Sequence, residues 1–442
     1  MRIYTLGGFS EVGRNMTAVE VGREVVIIDM GYHMDKIIGM SDEEREAPLP
    51  ELRKQGAIPD DTPLKGKNVI AIVVSHGHLD HLGAVPKMAD NYPKAPIIVT
   101  PYTAEVLKRM AKEEGRSHIN NRIVSLKHNT PKNIGKNFSV ELVYVTHSIP
   151  HSAMVLLRTK EGNVAYLNDF KIDFTPTLEQ PFQKQYFKKI GKEGIKVLLM
   201  ESLRADETSR SSSEKIAKEM LKDVVNRAYQ ESKNNAVIVS TFSSHIARIK
   251  AAIDINKGRR EVIMLGRSLK LYTGAAADLG LLDRSKVRVH TKRKSIINVL
   301  KEVEKDKEKY LLITTGNQGE YDAVLTRMAR GEYPFNWNKN DEVIISSNPI
   351  PHPVNIAQRY VLERMLRERN VRIIDGVHAS GHARKEDLRD IIRWLNPEIL
   401  IPSHGYLAKT SALAEVAMQE GYELGKNVLL STNGKVWDIK KG

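Results

Sequence analysis

Six residues in the first quarter of the chain, His76-Gly77-His78-Leu79-Asp80-His81, place three imidazoles and a carboxylate on a single turn. The apolar run 69–74 precedes them and predicts a buried strand that ends at this turn. Imidazole and carboxylate groups bind borderline metals such as zinc and manganese. Two alternating histidines followed by an Asp-His pair can face two ions at once, so the turn predicts a binuclear hydrolase. Four polar residues capping a strand by chance would be the alternative, and it is disfavoured because buried, unpaired polar groups are costly.

The strands that would position further ligands are short, and they alternate with turns from residue 1 to about 201. Five acidic or histidine residues lie at or just after the ends of such runs: Asp29, His76, His147, Asp169 and Glu201. His404 likewise follows a predicted strand near the C-terminus. Polar residues at successive strand ends can converge on one edge of a sandwich, where loops build sites. Because few long helices intervene, this part of the chain predicts two packed sheets with outer helices rather than a doubly wound sheet.

The candidate ligands suffice for two ions, which need about seven protein ligands and a shared water. They divide into two sets: His76, His78 and His147 for one metal, and Asp80, His81 and His404 for the other, with Asp169 bridging both. Asp29 is expected to orient the ligand loop, because such partners fix the tautomer of a ligating histidine. His151 competes with His147, and the strand-end position favours His147. Taken singly, His147 and His404 are better explained as structural histidines, and only the combination makes them ligands.

Composition narrows the class of protein. At 442 residues and 41% hydrophobic, the chain predicts two or three domains. Its 68 Lys and Arg against 54 Asp and Glu give a formal charge of +14, which suits a polyanionic partner such as nucleic acid, although a charge-rich solvated surface explains it equally well. There is no cysteine, which excludes disulfides, thiolate metal sites and cysteine nucleophiles. Without a signal-peptide pattern or an apolar run long enough for a membrane span, we expect a cytoplasmic protein with no membrane contact.

The pattern changes after the serine-rich stretch 209–213. Helical stretches near 214–232, 247–255, 295–306 and 321–330 alternate there with the strands 236–241, 261–265, 310–315 and 342–346. This alternation predicts a parallel-sheet α/β domain at 206–370, inserted between a first part, 1–205, and a C-terminal part, 371–442. The C-terminal part is expected to rejoin the fold of residues 1–205, with a strand at 371–375, a helix at 385–395 and a strand at 398–402. The stretch 42–67 predicts a surface loop.

Five segments together resemble the β-CASP nucleases of the metallo-β-lactamase superfamily, and among them the shorter archaeal members of the ribonuclease J family. They are 6–15, 76–81, 147–150 with 169–173, 315–320, and 378–382 with 402–405. The segments span nearly the whole chain, whereas the metal turn alone fits any hydrolase of the superfamily. The resemblance implies an α/β fold: a metallo-β-lactamase αββα sandwich with an inserted parallel-sheet β-CASP domain.

The resemblance also implies roles for individual residues. Asp29, 76–81, His147 and Asp169 match the four superfamily motifs, whereas Glu201, His382 and His404 match three motifs added by the β-CASP group. A catalytic role is implied for Asp80, Glu201 and His382. Taken alone, Glu201 is an ordinary carboxylate. Beside His382 it completes an acid pair that either protonates a leaving oxygen or orients phosphate, and the sequence leaves both roles open.

The turn 378–382 has the composition of a phosphate-binding turn. Gly381 permits close backbone approach, and the Ser380 hydroxyl and the imidazoles of His378 and His382 can donate to anionic oxygens. A plain turn before a helix is the alternative. In the family this turn resembles a pocket for the 5′ monophosphate of RNA, which would make the enzyme count nucleotides from that end.

The function that the resemblance implies is a ribonuclease that degrades single-stranded RNA from the 5′ end and favours 5′-monophosphate ends. Catalysis is expected through a hydroxide activated by two divalent ions, zinc first and manganese as the alternative, while the inserted domain forms a basic channel for one strand. An endoribonuclease or a DNA-acting nuclease with the same binuclear site is the nearest rival. A silent RNA-binding subunit and a small-molecule hydrolase are further alternatives. A homodimer is among the assemblies left open.

Overall fold

The β-branched and apolar runs of the sequence form nineteen strands in the part of the chain that the computed structural model describes, which is residues 1–40, 42–231, 234–350 and 353–440. They are β1 (Arg2–Gly7), β2 (Met16–Val21), β3 (Glu24–Ile28), β4 (Asn68–Val73), β5 (Ile97–Val99), β6 (Ile123–Ser125), β7 (Lys132–Ile134), β8 (Phe138–Tyr144), β9 (Ala153–Thr159), β10 (Val164–Leu167), β11 (Val197–Glu201), β12 (Val237–Ser240), β13 (Glu261–Leu265), β14 (Val287–His290), β15 (Tyr310–Thr314), β16 (Glu342–Ile345), β17 (Arg372–Ile374), β18 (Ile399–Ser403) and β19 (Lys435–Asp438).

The α-helices of the same ranges follow mostly from amphipathic stretches. They are α1 (Met34–Gly39), α2 (Asp42–Arg45), α3 (Leu49–Lys54), α4 (Leu79–Leu82), α5 (Val85–Met88), α6 (Pro101–Glu113), α7 (Lys184–Lys192), α8 (Glu214–Glu231), α9 (Ile246–Asn256), α10 (Arg267–Asp278), α11 (Arg293–Val303), α12 (Val324–Ala329), α13 (Pro353–Glu368), α14 (Lys385–Leu395) and α15 (Leu407–Gln419). Within the described ranges, no helix combines the length and the apolar character needed to cross a bilayer.

The first compact unit comprises Met1–Ile172, Pro181–Ser211 and Gly381–Gly442. It contains two sheets, with strand orders β19-β1-β2-β3-β4-β5-β6 and β18-β11-β10-β9-β8-β7. Apolar side chains from both sheets, such as Val26 and Val155, share one core between them. Helices α7, α14 and α15 cover the other face of the second sheet, while α6 packs beside β6. This arrangement is the αββα sandwich expected from the sequence.

The second compact unit comprises Asp173–Gln180 and Ser212–Ser380. Its sheet has the order β14-β13-β15-β12-β16-β17, and every neighbouring pair is parallel. The central strands β12, β15 and β16 are buried along their whole length, which suits a parallel sheet with covered faces. The expected α/β fold class, with an inserted parallel-sheet domain, is therefore confirmed.

Two local expectations were wrong. The strand expected at 371–375 exists as β17, but it pairs with β16 in the second unit's sheet instead of returning the chain to the first unit. The stretch 42–67 is less irregular than expected, since it contains α2, α3 and a 3-10 helix at Thr62–Leu64. The boundaries 205/206 and 370/371 stay predictions for the limits of independently folding domains.

Candidate metal centre

Strand direction brings the site residues to one edge of the second sheet in the first unit. Strands β10, β11 and β18 are parallel neighbours, so their carboxyl ends coincide. Glu201 pairs in register with Ser403, the residue before His404, and Asp169 follows two residues after β10. In the other sheet, β3 and β4 are also parallel and lead directly to Asp29 and to the turn 76–81.

Asp169 lies between two groups of imidazoles and presents a different carboxylate oxygen to each. Its Oδ2 is 3.4 Å from His76 Nε2 and 3.5 Å from His147 Nε2. Its Oδ1 is 3.3 Å from His81 Nε2 and 3.4 Å from His404 Nε2. A carboxylate with this placement can bridge two cations.

Each group is completed by one more residue of the turn 76–81. His78 Nδ1 is 3.2 Å from both His76 Nε2 and His147 Nε2. Asp80 Oδ2 is 3.6 Å from His81 Nε2 and 3.9 Å from His404 Nε2. In each group the four ligand atoms, counting those of Asp169, lie within 4.8 Å of one another, which is a compact enough set to hold a metal ion.

Hydrogen bonds on the far side of three rings turn their Nε2 atoms toward Asp169. His147 Nδ1 donates to the Gly381 carbonyl at 2.6 Å, and His81 Nδ1 donates to Asp29 at 2.7 Å. His404 Nδ1 lies 2.9 Å from the Asn15 side-chain nitrogen and 3.1 Å from its oxygen, so the Asn15 amide holds this ring in position. The donations by His147 and His81 fix the tautomer in which Nε2 carries the lone pair, as metal ligation requires.

Asp29 is itself held in place by the start of the ligand loop. It accepts hydrogen bonds from the Ser75 backbone at 2.8 Å and from the Ser75 hydroxyl at 2.9 Å. Asp29, Asp169 and His404 all have positive φ values, of 61°, 55° and 53°. Left-handed backbone is uncommon for residues other than glycine and costs on the order of 1 kcal/mol or more per residue, so three cases in one cluster indicate a backbone shaped for the site.

The electrostatics of the cluster fit a cation. Asp169 is 2% exposed, and its Oδ1 has no hydrogen-bond partner among the described residues. Burial opposes ionisation of Asp169, but His404, His81 and His382 outweigh it and hold the pKa of its carboxyl well below the usual range. An ionised, buried oxygen surrounded by imidazole nitrogens lacks only a positive partner.

The histidines divide according to their carboxylate neighbours. Burial, reinforced by nearby imidazoles, lowers the pKa of His76 to about 3 and holds that of His147 well below its ordinary value. Burial also opposes protonation of His81, but Asp169, Asp80 and Asp29 raise its pKa well above the ordinary value. His76 and His147 are thus neutral, as a ligating imidazole must be, whereas the carboxylates around His81 favour a positive charge that a divalent ion can supply.

A pair formed by the buried Glu201 and the partly exposed His382 adjoins the cluster. His382 Nδ1 is 2.7 Å from Glu201 Oε2, and the His382 ring lies nearly parallel to that of His404, with centroids 6.0 Å apart. Burial lowers the pKa of His382, but Glu201 and Asp169 outweigh that effect and raise it above the ordinary value. His382 is thus favoured in its protonated form beside the candidate metal ligands.

Three family models match the chain in sequence order. "Metallo-beta-lactamase superfamily" matches residues 10–181, "Ribonuclease J, beta-CASP domain" matches 234–362, and "Zn-dependent metallo-hydrolase RNA specificity domain" matches 367–430. Two archaeal relatives match along almost their whole length. Ribonuclease J of Pyrococcus abyssi is 46% identical over 99% of this chain and 97% of its own, and ribonuclease J of Methanocaldococcus jannaschii is 44% identical over 100% and 99%.

The chain belongs to the ribonuclease J family. A bacterial member, from Sinorhizobium meliloti, is 32% identical over 94% of this chain but only 71% of its own, so the full-length match is with the shorter archaeal members. A solved structure of a protein of unknown function from Enterococcus faecalis V583 has a TM-score of 0.64 at 17% identity and covers 99% of both chains. At that identity, the likeness supports the fold alone.

Within this family member, all seven residues expected to bind metal lie in the two groups that share Asp169. The competing histidine does not: His151 Nδ1 accepts the backbone N–H of Tyr102 at 3.1 Å, and its ring packs against His128. Of the residues expected to bind phosphate, Gly381 and His382 belong to the first unit. His378 and Ser380 belong to the second, where the His378 ring lies 6.5 Å from that of His245.

Sequence reasoning did not assign roles to two groups that shape the site. Asn15 contacts His404, and its amide also donates to the Asp80 carbonyl at 3.0 Å. The Gly381 carbonyl orients His147, and a Cβ on Gly381 would lie 3.0 Å from His147 Cε1. Asn15 ends the first segment that resembles the family, which was the available signal, but its amide has no metal chemistry of its own.

Proposed function

We propose that this enzyme is a metal-dependent 5′-to-3′ exoribonuclease that acts on single-stranded RNA and favours 5′-monophosphate ends. The observation that carries the proposal is the pair of His/Asp groups around Asp169, with the acid pair Glu201 and His382 beside it, in a chain of the ribonuclease J family. Removing one member, as in His78→Ala, is expected to abolish cleavage while largely sparing RNA binding.

Two divalent ions, zinc or manganese, are assigned to the centre. His76, His78, His147 and Asp169 would hold one, and Asp80, His81, His404 and Asp169 the other. When bound, such ions activate water as a nucleophile and neutralise charge on a phosphoryl group. Imidazole and carboxylate ligands suit both metals, so the choice between zinc and manganese is left to elemental analysis.

The chain's own residues supply the proton and the placement. Glu201 holds the Nδ1 side of His382 at 2.7 Å, which favours the protonated ring and leads us to assign Nε2 to the departing 3′ oxygen. In addition to binding metal, Asp80 is assigned a catalytic role: its carboxylate would position the attacking water. Glu201 and His382 already hold each other in place, so the proton donor needs little reorganisation during the reaction.

The preference for a 5′ phosphate rests on the turn 378–382. Gly381 is tied to His147 by its carbonyl, and His378 precedes His382 by only four residues. A terminal phosphate held by Gly381 and His382 of this turn would lie beside the acid pair, of which His382 is a member. Binding the end in this way would make cleavage proceed stepwise from it.

A cleavage time course on RNA labelled with 32P at its 5′ end tests the proposal. The RNA carries either a 5′ monophosphate or a 5′ triphosphate, and each form is incubated with and without chelator. We expect the monophosphate form to release labelled mononucleotide from the first time point, the triphosphate form to react more slowly, and the chelator to stop both reactions. Discrete internal fragments would instead favour the endonuclease, and DNA cleaved as fast as RNA would favour a general nuclease.

We also propose a cytoplasmic location, which suits a chain with no cysteine. We further propose that the protein forms a homodimer. Light scattering on the purified protein should then give a mass near twice 49.8 kDa.

A further inference from the structure

A run of basic residues in the second unit has no part in the metal centre. Residues 284–294 include six Lys or Arg and one His, with no Asp or Glu. All the even-numbered positions are basic: Arg284, Lys286, Arg288, His290, Lys292 and Lys294. The run extends through β14, the edge strand of the parallel sheet, into the start of α11.

Part of this run lines a concavity of about 370 Å³. Arg288 and His290 face it from β14, Lys292 and Lys294 face it from the connection and first turn of α11, and the helix provides the remaining wall. We call this concavity, together with the adjoining Arg293, the edge pocket. A space of this size is large enough for a nucleotide-sized group.

The basic groups of the edge pocket differ in how they are neutralised. Arg288 is fixed by Glu302 at 2.8 Å and by Glu261 at 2.9 Å. Lys292, Arg293 and Lys294 are exposed, and in the part of the chain that the structure describes no carboxylate lies within ion-pair distance of them. The mouth of the pocket therefore has an uncompensated positive charge on exposed side chains, while the Arg288 charge is neutralised.

The segment 301–309, at and beyond the C-terminal end of α11, shows that this imbalance is local. Lys301, Lys305 and Lys309 are also exposed, but they alternate with the acids Glu302, Glu304, Asp306 and Glu308. A competing explanation is that these lysines protect the edge strand from pairing with another chain and have no ligand. It does not account for a basic concavity that continues into a helix, whose first-turn N–H groups add further positive potential.

We propose that the edge pocket is an accessory anchor for the phosphates of single-stranded RNA, distinct from the turn 378–382. The inference rests on the proposed function for its choice of RNA. Flexible lysines around an open pocket suit the repeating backbone charge rather than base edges, so the anchor would be independent of sequence and would act on RNA long enough to reach it.

The test compares two triple variants with the same loss of charge. K292Q/R293Q/K294Q removes the unpaired charges of the edge pocket, and K301Q/K305Q/K309Q removes three from the mixed-charge segment of the same unit. Binding of a 3′-fluorescein 30-nucleotide oligo(U) is followed by anisotropy in the His78→Ala background, so that the RNA is not consumed. Steady-state kinetics on 30- and 4-nucleotide RNA use the otherwise native, metal-loaded enzyme.

We expect the edge-pocket variant to weaken binding of the 30-nucleotide RNA about 10-fold at 100 mM salt and to reduce the slope of log affinity against log salt by about 2, since each phosphate contact on a single strand contributes roughly 0.7. KM for the long RNA should rise with kcat unchanged, and the 4-nucleotide RNA should be affected less than about 2-fold. The control variant and the charge-preserving K292R/R293K/K294R should behave like the parent.

Equal losses in the edge-pocket and control variants would overturn the anchor and leave general surface charge as the explanation. The anchor would also be overturned if adenosine monophosphate bound as tightly as the 30-nucleotide RNA and the edge-pocket variant lost that binding. The edge pocket would then be a site for small anions. If no protein cleaves RNA but the edge-pocket variant alone loses binding, the proposed function fails and the anchor stands.

Discussion

Glu201 Oε2 lies 2.7 Å from His382 Nδ1, and the other oxygen of the same carboxylate accepts the backbone N–H of Phe170 at 2.9 Å. Phe170 directly follows Asp169, so one buried carboxylate connects the acid to the residue shared by both ligand groups. Glu201 thereby fixes the orientation of the His382 ring and also raises its pKa.

Replacing Glu201 with Gln should separate proton donation from metal binding. Gln keeps the shape and the acceptor for Phe170 but removes the charge that favours protonated His382. We expect kcat to fall about 100-fold or more, as is usual for loss of a general acid, with metal content unchanged. The control is Glu415→Gln, an exposed residue with no ion-pair partner in the described ranges. Unchanged kcat in Glu201→Gln would remove the acid pair from the mechanism.

Replacing Asn15 with Ala should weaken the group that contains His404. Asn15 is the side chain that contacts His404 Nδ1, and loss of such a partner lowers metal affinity about 10- to 100-fold. Chelator competition on the metal-loaded protein measures this affinity. If Asn15→Ala holds its metals as tightly as the parent does, the orienting role of the amide is refuted.

Replacing Gly381 with Ala tests the contact between its turn and His147. A Cβ at this position would meet both His147 Cε1 and Ser148 Cβ at 3.0 Å, so the imidazole must shift. We expect at least a 10-fold fall in kcat/KM, because small displacements of a ligand are costly to catalysis. Gly39→Ala is the matched control, since a Cβ there would meet nothing within 4 Å. Equal activity of the two variants would contradict the packing described here.

The second unit should owe part of its stability to an ion pair that responds to pH. Glu214 is buried and bonds Arg248 at 2.8 and 3.0 Å. Burial opposes its ionisation, but Arg248 and His245 hold its pKa well below the ordinary 4.5. Because the folded pKa is depressed, the stabilisation is present above pH 4.5 and disappears as pH falls through the folded value.

Glu214→Gln should therefore lower the free energy of unfolding by about 3–5 kcal/mol at pH 7, since Arg248 is left buried without its partner. It should also flatten the loss of stability below pH 4.5, as urea unfolding at several pH values will show. Glu219→Gln, at an exposed position on the same helix, should leave the unfolding curve unchanged. A parallel shift of the Glu214→Gln and parent curves at every pH would contradict the assignment.

Much of the fold and of the candidate ligand set could be predicted from the sequence. The apolar runs mark the strands, and the polar residues that follow them mark the candidate ligands. His76, Asp169 and His404 each follow an apolar run, and parallel strands bring such residues to one edge. The positive φ values of Asp169 and His404 could not be read in this way, since most Asp and His residues have negative φ and no local pattern marks the exceptions.

The misplaced strand and the unassigned amide have a common cause. β17 is only three residues long and its sequence, Arg-Ile-Ile, fits an edge of either unit, so its partner depends on tertiary pairing with β16. The role of Asn15 likewise depends on a contact with His404, 389 residues away. Long-range pairing of this kind leaves no local periodicity in the sequence.

The most direct measurement of the central claim is the metal content of the purified protein, determined by elemental mass spectrometry for the parent, Asp169→Asn and the exposed control Asp254→Asn. Because Asp169 presents one oxygen to each ligand group, we predict two divalent ions per chain in the parent and in the control, and fewer than one in Asp169→Asn. A parent with one ion or none, or an Asp169→Asn variant that retains two, would contradict the shared binuclear centre.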